Sequence, residues 1–227
     1  MGRFNKLQTL NYINENKVVP VFYNSDVDIS INVMKSLHKG GIKILEFTNR
    51  GDFALEVFNE LEKYCQKNLP DMILGAGSIS DETMANMYIS SGSNFIVGPL
   101  TNKNVAIACN RKKVPYMPGC LTPTEISEAE ELGCDVVKVF PADSVGGPNF
   151  IKSVLAPMPW SWIMPTGGVD MEEEGLKKWL SSGVFSVGMG SNLFTKEIIQ
   201  NKDWALLESQ CKNCLLYTSP SPRDNSG

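Results

Sequence analysis

A single histidine, His38, stands in the 227-residue chain, so a histidine-rich metal site or a Ser-His-Asp triad has only one imidazole to build on. Chemistry then falls to lysines and carboxylates, and neither a metal nor a cofactor is expected. Positive charge is not in excess. The 21 Lys and Arg face 25 Asp and Glu, a net charge of −4, which disfavours nucleic acid or an anionic membrane surface as partner. Apolar runs such as Val18 to Tyr23 fall far short of the ~18 residues that a bilayer span needs. The N-terminus shows no charged-then-apolar signal pattern, so no membrane partner and a cytoplasmic setting are expected. No Gly-x-Gly-x-x-Gly follows the first apolar run, which argues against a dinucleotide-binding open sheet.

What is present reads as an ordinary globular chain, 42% hydrophobic and 20% charged, long enough to bury one sizeable core. Its six cysteines, without a secretory signal, read as free buried thiols in a reducing compartment. Cys211 and Cys214 form a C-x-x-C, but no second pair and no nearby histidine complete four zinc ligands. From Cys214 onward the chain turns Ser/Pro-rich and resembles a translated sequencing-library adapter. Residues 1–213 are therefore expected to form a single domain and residues 214–227 a non-native tail, with a last helix beginning near Asp203 cut short.

Eight short apolar, β-branched-rich runs alternate with amphipathic stretches. They are Val18–Phe22, Ile42–Thr48, Met72–Ala76, Asn94–Val97, Val114–Met117, Asp135–Phe140, Trp162–Pro165 and Phe185–Gly188. Each interval has room for one crossover helix, as parallel strands require. Thr122-Pro-Thr-Glu125 reads as a capping box with proline at the first helical position, and Asp170-Met-Glu-Glu173 as a second helix start. Eight β/α repeats without the dinucleotide fingerprint predict an α/β fold, a single (β/α)8 TIM barrel, with function at the C-terminal ends of the strands.

Lys138 lies inside the apolar run Val136-Val-Lys-Val-Phe140. Burial of an ammonium favours its neutral form, which attack on a ketone requires. The alternative is a strand-end lysine snorkelling to solvent or paired with a glutamate. Glu46 shares a strand face with Ile44 and Thr48 and opposes Lys43. If it points into the barrel mouth it suits general acid/base work, and otherwise it pairs with Arg50 or Lys138. Arg50 offers a planar fork for a small carboxylate. Thr166-Gly-Gly168 and Gly188-Met-Gly-Ser191 place glycines at the last two strand-to-helix turns, where barrels hold phosphate. His38, near a helix end, is given no catalytic role and is expected to face solvent or favour the helix C-terminus.

Five segments carry a resemblance: Leu45-Glu-Phe-Thr-Asn-Arg50, Gly75-Ala-Gly-Ser78, Pro118-Gly119, Lys138-Val-Phe-Pro-Ala142 and Pro165-Thr-Gly-Gly168. In order and spacing the chain resembles the 2-dehydro-3-deoxy-6-phosphogluconate (KDPG) / 4-hydroxy-2-oxoglutarate (KHG) aldolases, class I, over residues 15 to 210. The resemblance implies Lys138 as the Schiff-base lysine and Glu46 as the acid/base. It implies Arg50 and Ser78 at the pyruvate carboxylate, Pro99 and Phe140 lining the pyruvate pocket, and Thr166 against substrate or imine. Gly167, Gly168, Gly190 and Ser191 would hold the phosphate. It further implies a homotrimer of (β/α)8 barrels without metal, cleaving KDPG to pyruvate and glyceraldehyde 3-phosphate, and KHG to pyruvate and glyoxylate. Ser78 stands where many members have Thr, Met189 interrupts a Gly-Gly-Ser run, and Val21-Phe-Tyr23 lacks an arginine some members carry. The alternatives are an aldolase for the galactonate epimer and a non-catalytic sugar-phosphate-binding barrel.

Overall fold

The computed structural model of the protein describes residues 2–218. Its strands are β1 (Val18–Phe22), β2 (Ile44–Thr48), β3 (Ile73–Gly77), β4 (Ile96–Val97), β5 (Tyr116–Met117), β6 (Gly119–Cys120), β7 (Val136–Val139), β8 (Trp162–Pro165) and β9 (Val187–Met189). The helices are α1 (Lys6–Asn16), α2 (Val27–Lys39), α3 (Ala54–Asn68), α4 (Glu82–Ser90), α5 (Lys103–Lys112), α6 (Pro123–Glu131), α7 (Gly147–Leu155), α8 (Glu173–Leu180), α9 (Lys196–Asn201) and α10 (Trp204–Thr218). Nearly every strand residue is buried, as expected where helices cover a parallel sheet.

The strands form two parallel sheets, one of six strands ordered β5-β4-β3-β2-β1-β9 and one of three ordered β6-β7-β8. A single eight-stranded sheet was expected; the fifth run instead continues past Met117 and is split by Pro118. Proline has no N–H to donate to a ladder, although its carbonyl still accepts from Lys138 N at 2.8 Å. At the other edges, Thr166 and Gly188 make an isolated parallel bridge, and Phe185 N donates to Ile163 O at 2.9 Å.

Period-two alternation sets what β2 offers to each side. Leu45 and Phe47 point one way, and Phe47 meets Phe58 of α3, which in turn meets Tyr88 of α4 edge-on at 5.0 Å between centroids. Burying rings of this size contributes about 1.5–3 kcal/mol each. That packing fixes the strand's rotation and turns Glu46 to the opposite face. Thr122 caps α6 with the reciprocal Glu125 contacts and Pro123 at its first position, as the sequence predicts. The α8 start lies two residues later than predicted. Asp170 Oδ1 accepts from Glu172 N at 3.3 Å and shapes the turn before the helix, while Glu172 takes the N-cap position.

The six cysteines are free and buried. Cys211 and Cys214 lie in α10, which packs against α2 and α8. Asp203 Oδ1 accepts from Leu206 N at 3.0 Å at the start of this helix, which runs on through residues 214–218 with Cys214 buried. The rest of the expected tail lies outside the described residues. No described helix is long and apolar enough to cross a membrane.

His38 lies in the last turn of α2, the expected helix-end placement, and is also paired there. Its Nε2 lies 2.7 Å from Asp71 Oδ1, and Lys43 Nζ lies 2.8 Å from the other oxygen. The Lys43 hydrogen bond, with His38 adding to it, holds the Asp71 carboxyl down at about 2. A depressed carboxyl stabilises the fold above its unfolded value, near 4, and loses that contribution as pH falls toward 2. Asp71→Asn should therefore cost stability at pH 5–7 and match the parent near pH 2, as read by thermal melts across pH. Because Asp71 is half exposed, the cost should be no more than about 1 kcal/mol.

Candidate active site

Glu46 of β2 and Lys138 of β7 meet across the interior, Lys138 Nζ lying 3.8 Å from Glu46 Oε1 with both side chains at least 95% buried. That separation is an ion-pair contact, longer than a hydrogen bond, and neither Glu46 oxygen has a hydrogen-bond partner among the described residues. Burial pushes the Glu46 carboxyl up, against the opposing pull of the Lys138 and Arg50 charges. A carboxyl without fixed hydrogen bonds, raised by burial and facing an amine, is equipped to take and return a proton. The space beside it depends on Gly77, where a Cβ would overlap the Glu46 carboxylate.

Lys138 Nζ stands 5.1 Å from the centre of the Phe140 ring. Phe140 lines a cavity of about 180 Å³ together with Arg50, Thr166, Gly167, Gly168, Gly190 and Ser191. Seven of the predicted residues thus converge on one concavity at the C-terminal ends of the strands. Thr166 Oγ1 is buried there without a partner, and its position requires Gly188, since a Cβ at that residue would collide with the hydroxyl. Ser78 joins through Arg50, whose Nε donates to Ser78 Oγ at 3.2 Å. Ser78 holds a left-handed backbone with φ 59°, a strained conformation that fixes where its hydroxyl sits.

Glu46, Lys138, Ser78 and Pro99 are not among the lining residues; the first three join the cavity through Phe140 and Arg50, whereas Pro99 stands apart. It is exposed past the end of β4 and lines neither this cavity nor the larger one beside it; its backbone lies instead against Gly119 of β6.

Sequence reasoning missed Val21, Val169 and Asn192, which complete the cavity wall. Asn192 Nδ2 donates to Val169 O at 2.7 Å and ties together the two glycine-bearing turns. The Gly168 and Ser191 N–H groups in those turns donate to no other described residue, so both remain able to bind an anion. A second cavity of about 540 Å³ shares Val21, Arg50, Gly190 and Ser191 with the first and adds Tyr23, Asn24, Lys196 and Gln200. Neither Asn192 nor Lys196 carries a local sequence signal, because the residues beside them in these cavities are distant in the chain.

Among the described residues, no group of three or more His, Cys, Asp or Glu is placed to hold a metal ion. A separate cavity, lined by Leu7, Leu10, Trp162 and Phe185, opens at the N-terminal ends of the strands, the end opposite Arg50 and Thr166.

A family model described as KDPG and KHG aldolase matches residues 10–210. A Haemophilus influenzae protein named 2-dehydro-3-deoxy-phosphogluconate aldolase is 30% identical over 197 residues, 87% of this chain and 90% of its own length. A Treponema pallidum protein of the same name is 32% identical over 155 residues, 68% of this chain and 72% of its own. Among solved structures, the Legionella pneumophila KDPG aldolase, captured with pyruvate as a covalent carbinolamine, is 25% identical. It superposes with a TM-score of 0.81 over 90% of this chain and 97% of its own. With the family's pattern matched along most of its length and the motif residues gathered around one cavity, the chain belongs to the KDPG and KHG aldolase family.

Proposed function

We propose that this aldolase, a carbon–carbon lyase, cleaves KDPG to pyruvate and glyceraldehyde 3-phosphate through a Schiff base on Lys138, and also cleaves KHG to pyruvate and glyoxylate. The carrying observation is the buried Lys138–Glu46 pair, 3.8 Å apart, beside a cavity ringed by an arginine and two glycine turns.

In this reading Arg50, oriented by Ser78, holds the substrate carboxylate, and Phe140 and Thr166 border the reacting carbons. The turns at Gly167–Gly168 and Gly190–Ser191 face the phosphate. Such positioning supplies much of the rate before any bond changes. The Lys138 amine adds to the C2 ketone, and the carbinolamine hydroxyl, protonated by Glu46, leaves as water to give an iminium and a Glu46 carboxylate. Glu46, directly or through a water, takes the C4 hydroxyl proton. The C3–C4 electron pair then moves to C3, forming an enamine and releasing the aldehyde. Protonation at C3 and hydrolysis free pyruvate and restore the amine.

The reading includes closure of the two sheets into one (β/α)8 barrel. The Thr166–Gly188 bridge at one junction and the one-residue step at Pro118 at the other support it. It also includes a single aldolase domain over residues 1–213, with 214–227 a non-native tail whose first residues prolong α10. A cytoplasmic homotrimer without a nucleic-acid partner belongs to the same reading, supported by the family likeness and the net charge of −4.

The test is pyruvate release from KDPG, its galactonate epimer and KHG, each read by coupled reduction of pyruvate. Preferential turnover of KDPG is expected. Preferential turnover of the epimer would reassign the substrate, and binding of KDPG without cleavage of any of the three would contradict the reading. Arg50→Lys keeps the charge but loses the planar fork. KM for KDPG should rise about tenfold with a smaller change in kcat, the cost of roughly one charge-assisted hydrogen bond.

A further inference from the structure

The larger cavity beside the catalytic one is more than an entrance. Its volume of about 540 Å³ follows directly from the catalytic cavity through Arg50, Gly190 and Ser191. Its walls bring two cations, Arg50 and Lys196, and no acidic side chain. The two cations are not equivalent, since Arg50 Nε is engaged by Ser78 Oγ at 3.2 Å whereas Lys196 has no ion pair or hydrogen bond through its ammonium with another described residue. The polar remainder is neutral: Tyr23, Asn24, Ser191 and Gln200. Asn24 Oδ1 accepts from Asp26 N at 2.8 Å, which leaves its amide donors for another partner.

Lys196 is also well placed. Thr195 Oγ1 accepts from Ile198 N at 3.3 Å and fixes the start of α9, so that Lys196 is its first residue. Phe194, two positions before it, packs on Phe22 of β1 with ring centres 4.8 Å apart, clamping the segment after β9 onto β1. On the β1 side, Val21, Phe22, Tyr23 and Asn24 contribute no cation of their own.

We propose that Lys196 is the specificity-determining cation of this protein, binding the anionic group at the aldehyde end of the substrate and setting the preference for phosphorylated over unphosphorylated 2-keto acids. The proposal rests on the aldolase reading, because it needs a substrate that spans both cavities. The glycine turns supply neutral donors, and Lys196 supplies the charge that discriminates a phosphate monoester from a hydroxyl.

The experiment compares kcat/KM for KDPG with that for unphosphorylated 2-dehydro-3-deoxygluconate in the parent, Lys196→Gln and Lys196→Arg. Loss of one charge-assisted hydrogen bond predicts that the preference ratio falls about 10- to 100-fold in Lys196→Gln. The ratio should stay within a few-fold of the parent in Lys196→Arg, with the change in Lys196→Gln carried mainly by KM for KDPG. An unchanged ratio in Lys196→Gln, including an equal loss on both substrates, overturns the proposal and leaves the aldolase reading standing. A parent protein that cleaves neither substrate and forms no borohydride-trapped adduct with pyruvate overturns that reading and this proposal together.

Discussion

Lys138→Arg is expected to lose KDPG cleavage by on the order of 10⁴-fold or more, the scale on which a covalent nucleophile counts, while the chain still folds. Arginine keeps a positive charge beside Glu46 but stays protonated and cannot form an imine. Because the guanidinium is longer and Lys138 is almost wholly buried, Lys138→Met serves as the second variant, filling much of the same volume without a charge. Glu46 already has its carboxyl raised by burial and would then stay neutral in an apolar setting. Far-ultraviolet circular dichroism and a cooperative melt establish folding, and the pyruvate-release assay reads the loss. Turnover within tenfold of the parent in either folded variant would contradict the nucleophile assignment.

Glu46→Gln has the next largest expected effect. Gln preserves size but carries no proton to exchange, so kcat should fall about 10²- to 10⁴-fold, the usual contribution of a positioned acid/base. The pH dependence gives a second reading. As base, Glu46 works ionised, and its carboxyl lies above the ordinary range, so kcat/KM of the parent should decline on the acid side below that raised value. The decline should be absent in Glu46→Gln. Stability follows from the same shift. A carboxyl raised in the folded state contributes most below its unfolded value and loses that contribution as pH rises through the folded one. The melting temperature of the Gln variant should therefore improve relative to the parent with increasing pH. A variant that keeps the parent's acid limb would place the proton transfer on another group.

The parts of this site that were legible in the sequence are those governed by local rules. Period-two alternation separated Glu46 from Phe47, and an ammonium inside an apolar strand singled out Lys138. Thr122 with Glu125 marked a helix start because both halves of a capping box lie within one turn. The fifth run ends at Met117 in the sequence, and nothing local showed that Gly119 and Cys120, beyond Pro118, pair with β7. Partners far apart in the chain gave no local signal. His38 finds Asp71 thirty-three residues away, Asn192 reaches back to Val169, and Lys196 shares a cavity wall with Tyr23 and Asn24, beside which Phe194 packs on Phe22. The resemblance implies Pro99 in the pyruvate pocket, whereas the structure leaves it exposed after a two-residue strand, a placement with no local signal. At the C-terminal end, Leu207, Cys211, Cys214 and Thr218 recur at helical spacing and are buried together, a periodicity that the Ser/Pro-rich residues beyond them obscured.

Incubating the protein with pyruvate and borohydride, and mapping the adduct by intact and peptide mass, tests imine formation on Lys138. A single reduced adduct is expected on the peptide containing Lys138, and none in Lys138→Met. Folded protein that traps no pyruvate, or traps it on another lysine, would contradict imine formation there.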